Sequence, residues 1–163
     1  MKTRNNKKNA WMFVVALSLT ILGGQTMNSQ KVILQTDEVE GTTHLSKEDF
    51  PKGNIINIVN GWGGMSVAIN ELKAGTDFTP LLKGLKDDLC QVPHWGYLEK
   101  GKIRIINSGN TTITVLGGEV FYMPPGHTVI VDEDARIMEF SPEKQMKELN
   151  EFIVNKVAQM QKG

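Results

Sequence analysis

From Ile103 to Phe140 the chain is cut every few residues by turn-forming sequence: Asn107-Ser108-Gly109-Asn110, Gly117-Gly118, Pro124-Pro125-Gly126 and Asp132-Glu133-Asp134. The intervening segments, Ile103 to Ile106, Thr111 to Leu116, Val120 to Met123, Thr128 to Val131 and Arg136 to Phe140, are rich in β-branched and aromatic residues and too short for helices. Upstream, Ile55 to Val59 and Met65 to Leu72 flank a turn at Gly61, Gly63 and Gly64, and Ala74-Gly75-Thr76-Asp77 makes another turn. Cys90 to Leu98 reads as a strand interrupted by Pro93 and closed by a Lys100-Gly101 turn. At least eight short strands are therefore expected. Strands this short bury one face each, so they must close on one another as a sandwich or barrel.

After Phe140 the apolar period changes. Met146, Leu149, Phe152, Ile153, Val157 and Met160 fall on one face of a helix running from about Pro142 to Gln161. Ser141 is the expected N-cap and Pro142 the expected first helical position. The stripe is expected to pack on the barrel or on a second subunit.

A chain of 163 residues suits one domain with a single substantial core. Its zero formal charge hides an asymmetry. Residues 1–30 hold Lys2, Arg4, Lys7 and Lys8 and no acid, which leaves 14 basic against 18 acidic residues beyond them. A mildly acidic domain without a basic cluster excludes nucleic acid as an expected partner.

The basic stretch from Lys2 to Lys8 precedes an apolar run from Ala10 to Leu22, shorter than the ~20 residues a bilayer span requires. Gly23, Gly24, Gln25 and Thr26 follow, so a cleavable signal peptide over residues 1–29 is expected, with a secreted or periplasmic product. An uncleaved anchor and a buried helix are the alternatives. The only cysteine, Cys90, lies far from this segment, which argues against a lipid anchor. A lone cysteine in an exported protein is buried, reactive, paired between chains or bound to metal.

Two fragments carry the chemistry. Asp88-Leu89-Cys90-Gln91-Val92-Pro93-His94 leads into Trp95-Gly96-Tyr97-Leu98-Glu99-Lys100-Gly101, and Gly118 to His127 reads Gly-Glu-Val-Phe-Tyr-Met-Pro-Pro-Gly-His. Gly118, Pro124 and Gly126 have the spacing of the second motif of the cupin superfamily, with His127 in place of the histidine that the family sets three residues after the glycine. Tyr97-Leu98-Glu99-Lys100-Gly101 resembles the strand end that follows the first cupin motif. Aligned there, Asp88, Cys90 and His94 fall where the family has His, His and Glu. The resemblance implies an all-β jelly-roll (double-stranded β-helix) barrel over residues 30–141, with the helix at 142–163, and a metal site inside the barrel.

Asp88, Cys90, His94 and His127 are all able to bind a divalent metal, and the thiolate favours zinc over iron. The bland reading is equally concrete: Asp88 solvated, Cys90 a core filler, His94 a satisfied barrel histidine and His127 a turn cap. His44 lies outside the motifs and is left as a surface residue. Gly61-Trp62-Gly63-Gly64 lacks the Lys-Ser end of a phosphate loop and is read as a turn. Glu99 and Glu119 are the candidates by type for a general base, with Glu99 expected at an exposed strand end. Three functions remain open: a cupin binding metal and a small molecule, a metal-dependent lyase, isomerase or oxygenase, and a non-catalytic module with a relic pocket. A homodimer is a possible assembly, since cupins commonly dimerise.

Overall fold

The computed structural model describes residues 41–46, 49–50 and 57–161. The expected signal segment and residues 55–56 of the first expected strand lie outside the described residues. The elements are β1 (Ile58–Trp62), β2 (Met65–Leu72), α1 (Thr79–Leu82), β3 (His94–Asn107), β4 (Thr112–Leu116), β5 (Glu119–Met123), β6 (His127–Pro142) and α2 (Glu143–Met160), with a short 3-10 turn at Lys86–Asp88. All strand pairs are antiparallel, in the order β1-β2-β6-β3-β4, with β5 also on β3. β6 runs along one side of β3, from Trp95 to Asn107. β5 and β4 share the other side, β5 against His94 to Leu98 and β4 against Lys102 to Ile106.

Six described strands replace the eight expected because two predicted turns are bends within long strands. Lys100-Gly101 and Asp132-Glu133-Asp134 lie opposite each other in the β3–β6 ladder, where the register shifts three times. Gly101 has φ +89°, and a Cβ there would sit 2.4 Å from the Asp134 carbonyl oxygen. The two strands thus bend together without leaving the sheet, the behaviour of a β-bulge. This bend curls the sheet around its inner face.

The inner face buries Leu98, Ile103, Ile105, Val115, Met123, Val131 and Ile137 in one core. Alternation decides which residues enter: on β3, His94 and Leu98 are buried while Trp95, Tyr97 and Glu99 face out. Gly96 shares the inner parity with His94 and Leu98, and the Phe121 ring occupies the space its side chain would take.

The predicted helix is present, and its stripe covers its own barrel. Met146, Leu149 and Ile153 are buried against Ile58, Ala68, Leu82, Cys90 and Val92, with Phe152 and Val157 packed alongside. Met160, at the last turn, is exposed. The expected cap is corrected: Pro142 occupies the N-cap and no side chain caps the helix. Instead the Glu143 N–H donates to the Gly64 carbonyl (2.9 Å), and the Glu143 carboxylate accepts from the Gly61 N–H (2.7 Å). The turn at residues 61–64 therefore anchors the start of α2. Ser141 is free for a different task, described below. No helix among the described residues is long and apolar enough to cross a membrane.

The packing over Gly96 generates a test. A Cβ at Gly96 would lie 2.1 Å from Phe121 Cζ, so Gly96→Ala is expected to lower unfolding free energy by roughly 1–3 kcal/mol, the usual cost of overpacking. In a Phe121→Leu background the same substitution should cost less, a coupling that a double-mutant denaturation cycle reads directly.

Candidate metal centre

Three of the four expected donors converge. The ligand atoms of Cys90, His94 and His127 lie within 4.8 Å of one another, and all three residues are buried. Their approach follows from backbone pairing. Cys90 N–H donates to the His127 carbonyl at 2.8 Å, and Gly126 N–H donates to the Cys90 carbonyl at 2.7 Å. This isolated bridge sets Cys90 beside the start of β6. His94 opens β3 directly after Pro93, opposite Met123, and its ring meets that of His127 edge to face with centroids 5.2 Å apart.

Asp88 is corrected. It lies in the 3-10 turn with φ +56°, so the two-residue parity of a strand does not relate it to Cys90. Its exposed carboxylate accepts from the Gly84 N–H at 2.8 Å and closes that turn. It stands outside the donor group. His127, by contrast, points inward as expected, 2% exposed, beside the half-buried Val129. Neither proposed base reaches the site: Glu99 lies 3.0 Å from Arg136 Nε at the surface, and Glu119 accepts from the Leu116 N–H. His44 is exposed, as expected.

Both imidazoles are oriented by their Nδ1 atoms. His127 Nδ1 is 2.7 Å from the Pro124 carbonyl, which only accepts, so Nδ1 carries the proton and Nε2 keeps a lone pair. His94 Nδ1 is 2.7 Å from Ser141 Oγ, and its Nε2 is 3.5 Å from Cys90 Sγ. That sulfur–nitrogen separation matches the edge of a zinc tetrahedron, about 3.5 Å for bonds of ~2.3 and ~2.0 Å. Ser141 thus serves the site in place of the helix, holding a ring whose other nitrogen faces the donor group, as hydroxyls and carbonyls behind ligating histidines do in metal sites.

Burial dominates the electrostatics. It pushes the His94 pKa down to about 3, with His127 adding repulsion, and it lowers His127 against the opposing pull of the Pro124 carbonyl. Both rings are therefore neutral near pH 7 and ready to donate lone pairs. Burial also pushes the Cys90 thiol up to about 11, reinforced by Glu139, so without a metal the sulfur keeps its proton.

Glu139 is the residue the sequence reading missed. It lines the same cavity as the three donors, together with Ser66, Asn70 and apolar side chains from β2, β6 and α2. The cavity volume is about 100 Å³, enough for several waters or a small organic molecule. Burial raises the Glu139 pKa to about 7. The signal was available: Glu139 is two residues from the apolar Ile137 on a strand, so it shares the inner face.

No family model matches the chain, and no curated protein matches it. Among solved structures it is similar to a cupin-2 domain protein from Shewanella frigidimarina, at 13% identity and TM-score 0.40 over 56% of this chain and 83% of that one. A cupin superfamily protein from Desulfitobacterium hafniense matches at 8% identity and TM-score 0.43, over 54% and 75%. Oxalate decarboxylase from Bacillus subtilis, a protein with Mn(II) centres, matches at 19% identity and TM-score 0.37, over 49% of this chain and 21% of that one. In this chain the described residues form a curled antiparallel sheet with the three donors on its inner side and helix α2 packed against it.

Glu139 gives a pH test in metal-free protein. Its folded pKa of about 7 lies above the ordinary glutamate value of 4.5, so the folded state holds the proton more tightly. That contribution is present below pH ~4.5 and is lost as pH rises through ~7, at about 1.4 kcal/mol per unit. Glu139→Gln is therefore expected to be more stable than the parent at pH 8, by on the order of 3 kcal/mol, and close to it at pH 5. Urea denaturation at the two pH values checks this, and equal stability of the two proteins at pH 8 would refute it.

Proposed function

We propose that this protein is an exported cupin that holds a divalent metal, zinc in preference to iron, on Cys90, His94 and His127, and binds a small molecule in the adjoining cavity. One observation carries the reading: three soft or borderline donors, all buried, lie within 4.8 Å of one another on the wall of a cavity. Zinc preference rests on the thiolate in the set. Export rests on the basic and apolar segments between Lys2 and Leu22.

The chain's residues fit a metal. His127 and His94 need lose no proton to bind one, since burial already keeps them neutral. Pro124 and Ser141 fix the two rings. The metal would supply Lewis-acid polarisation of a ligand atom. Three protein donors leave one position of a tetrahedral ion for that ligand, and this favours a second reading, a metal-dependent lyase, isomerase or oxygenase.

Zinc binding to the mature chain should be close to stoichiometric, and Cys90→Ala, His94→Ala and His127→Ala should each weaken it at least tenfold. Asp88→Ala should leave it unchanged. At pH 8 the thiol is the group that must ionise, so each zinc should release about one proton, and affinity should rise about tenfold per pH unit between pH 7.5 and 9. Calorimetry in buffers of different ionisation enthalpy reads both. Protein that takes up no zinc, iron or manganese would instead indicate a barrel with a relic pocket.

A second copy of the chain is the partner we infer for the outer sheet face. Trp95 and Tyr122 stack there with centroids 5.1 Å apart, in register with Phe140, and Tyr97 pairs with Val120, which is 81% exposed. β5 has no described neighbour beyond β3, so a two-fold β5–β5 pairing would both continue the sheet and cover this patch. Light scattering should show a dimer that Tyr122→Asp dissociates. A monomer at every concentration would overturn the pairing.

A further inference from the structure

The one formal charge on the cavity wall is a carboxylate with no counter-ion. Glu139 sits on β6 in register with Ala68 of β2 on one side and Gly96 of β3 on the other. Neither bears a long side chain, and although the Phe121 ring fills the space over Gly96, Glu139 lines the cavity. One row further along β6, Ser141 points the same way and holds His94. Glu139 therefore projects into the space beside the three donors without belonging to their group.

Among the described residues the Glu139 carboxylate makes no hydrogen bond or ion pair. Its side chain is part-buried and lines the cavity. Burying a carboxylate without a partner is costly, and the cost is largest in apolar surroundings. The surroundings here are apolar: Ile58, Leu72, Phe78, Met123, Ile137 and Leu149 are among the lining residues, and no Lys or Arg lines the cavity. An anionic guest would meet like charge with nothing but a metal to offset it. A cationic guest would supply the missing partner.

We propose that Glu139 is the recognition group of this cavity for a small organic cation, an amine whose ammonium faces the carboxylate while its alkyl body lies on the apolar wall. The proposal rests on the small-molecule reading above and is independent of the metal. A buried carboxylate paired with a ligand ammonium gains a charge-assisted hydrogen bond in a low-dielectric setting, where such bonds are strongest. The alkyl body gains by leaving water. A neutral alcohol of the same size keeps the second contribution and loses the first, and a carboxylic acid anion adds repulsion to that loss.

The test compares three probes of equal carbon count, n-butylamine, 1-butanol and butyrate, at pH 8, where the amine is cationic. Binding to the full mature chain is followed by amide shifts of Gly96 and Cys90, both after chelation and after zinc loading. n-Butylamine should bind at least tenfold tighter than the other two. Glu139→Gln, which preserves shape and removes the charge, should cut amine affinity at least tenfold and leave 1-butanol within about twofold. The proposal is overturned if 1-butanol or butyrate binds as tightly as the amine, if none of the three binds up to about 100 mM, or if Glu139→Gln keeps the amine preference. Failure of zinc uptake would remove the metal assignment alone, because the ranking in chelated protein still decides the role of Glu139.

Discussion

The pairing of Cys90 with the start of β6 is the contact on which the site depends. Two short backbone hydrogen bonds, Cys90 N–H to the His127 carbonyl and Gly126 N–H to the Cys90 carbonyl, tie a loop that otherwise has no ladder to follow. Without them the segment between the 3-10 turn and β3 has no reason to bring its sulfur to the histidines. With them the thiol and the His127 ring become neighbours by backbone geometry alone. Pro93 then ends the bridge, and β3 begins at His94, already in register with Met123 and with its Nδ1 at hydrogen-bond distance from Ser141 Oγ. Side-chain chemistry is thus placed by main-chain hydrogen bonds, which are less tolerant of drift than loose packing.

Desolvation is the second constraint, and it acts on every titratable group facing the cavity in the same direction: toward neutrality. It holds both imidazoles below their usual range and both the thiol and Glu139 above theirs. Without a metal the three donors are therefore uncharged. Neutral imidazoles favour metal uptake, whereas the protonated thiol opposes it, so the thiol is the gate. That division explains why a cysteine here differs from a third histidine: it adds a negative charge only when something positive arrives to hold it.

Much of this was legible in the sequence, for identifiable reasons. Alternation and turn residues located the strands, and the 3.6-residue stripe from Met146 to Val157 located the helix and its buried face. The family-like spacing of Gly118, Pro124 and Gly126 led to His127, although the histidine sits two residues early. Two of the failures share a cause, since each needed knowledge of what lies across the sheet. Lys100-Gly101 reads as a turn until Asp134 is found opposite it, bending with it. Ser141 reads as a helix cap until His94 appears 2.7 Å from its hydroxyl. Asp88 reads as a strand residue in phase with Cys90 until the left-handed backbone at residues 87 and 88 breaks the phase. Glu139 was the avoidable miss, because its parity with Ile137 needed no partner to be seen.

Helix α2 links these threads. Its buried residues Met146, Leu149 and Ile153 line the same cavity as the three donors and Glu139, so the helix is one wall of the site as well as part of the core. It is held at its N-terminus by Glu143, which engages the turn at residues 61–64 through both its backbone and its carboxylate. Remove that wall and water reaches the cavity. The imidazoles would then regain their ordinary basicity, the thiol would acidify, and Glu139 would be solvated and stop demanding a partner. The ionisation pattern that suits the site to a metal and to a cationic guest is therefore a consequence of how a C-terminal helix packs, and fold and chemistry here have a single physical origin in the exclusion of water.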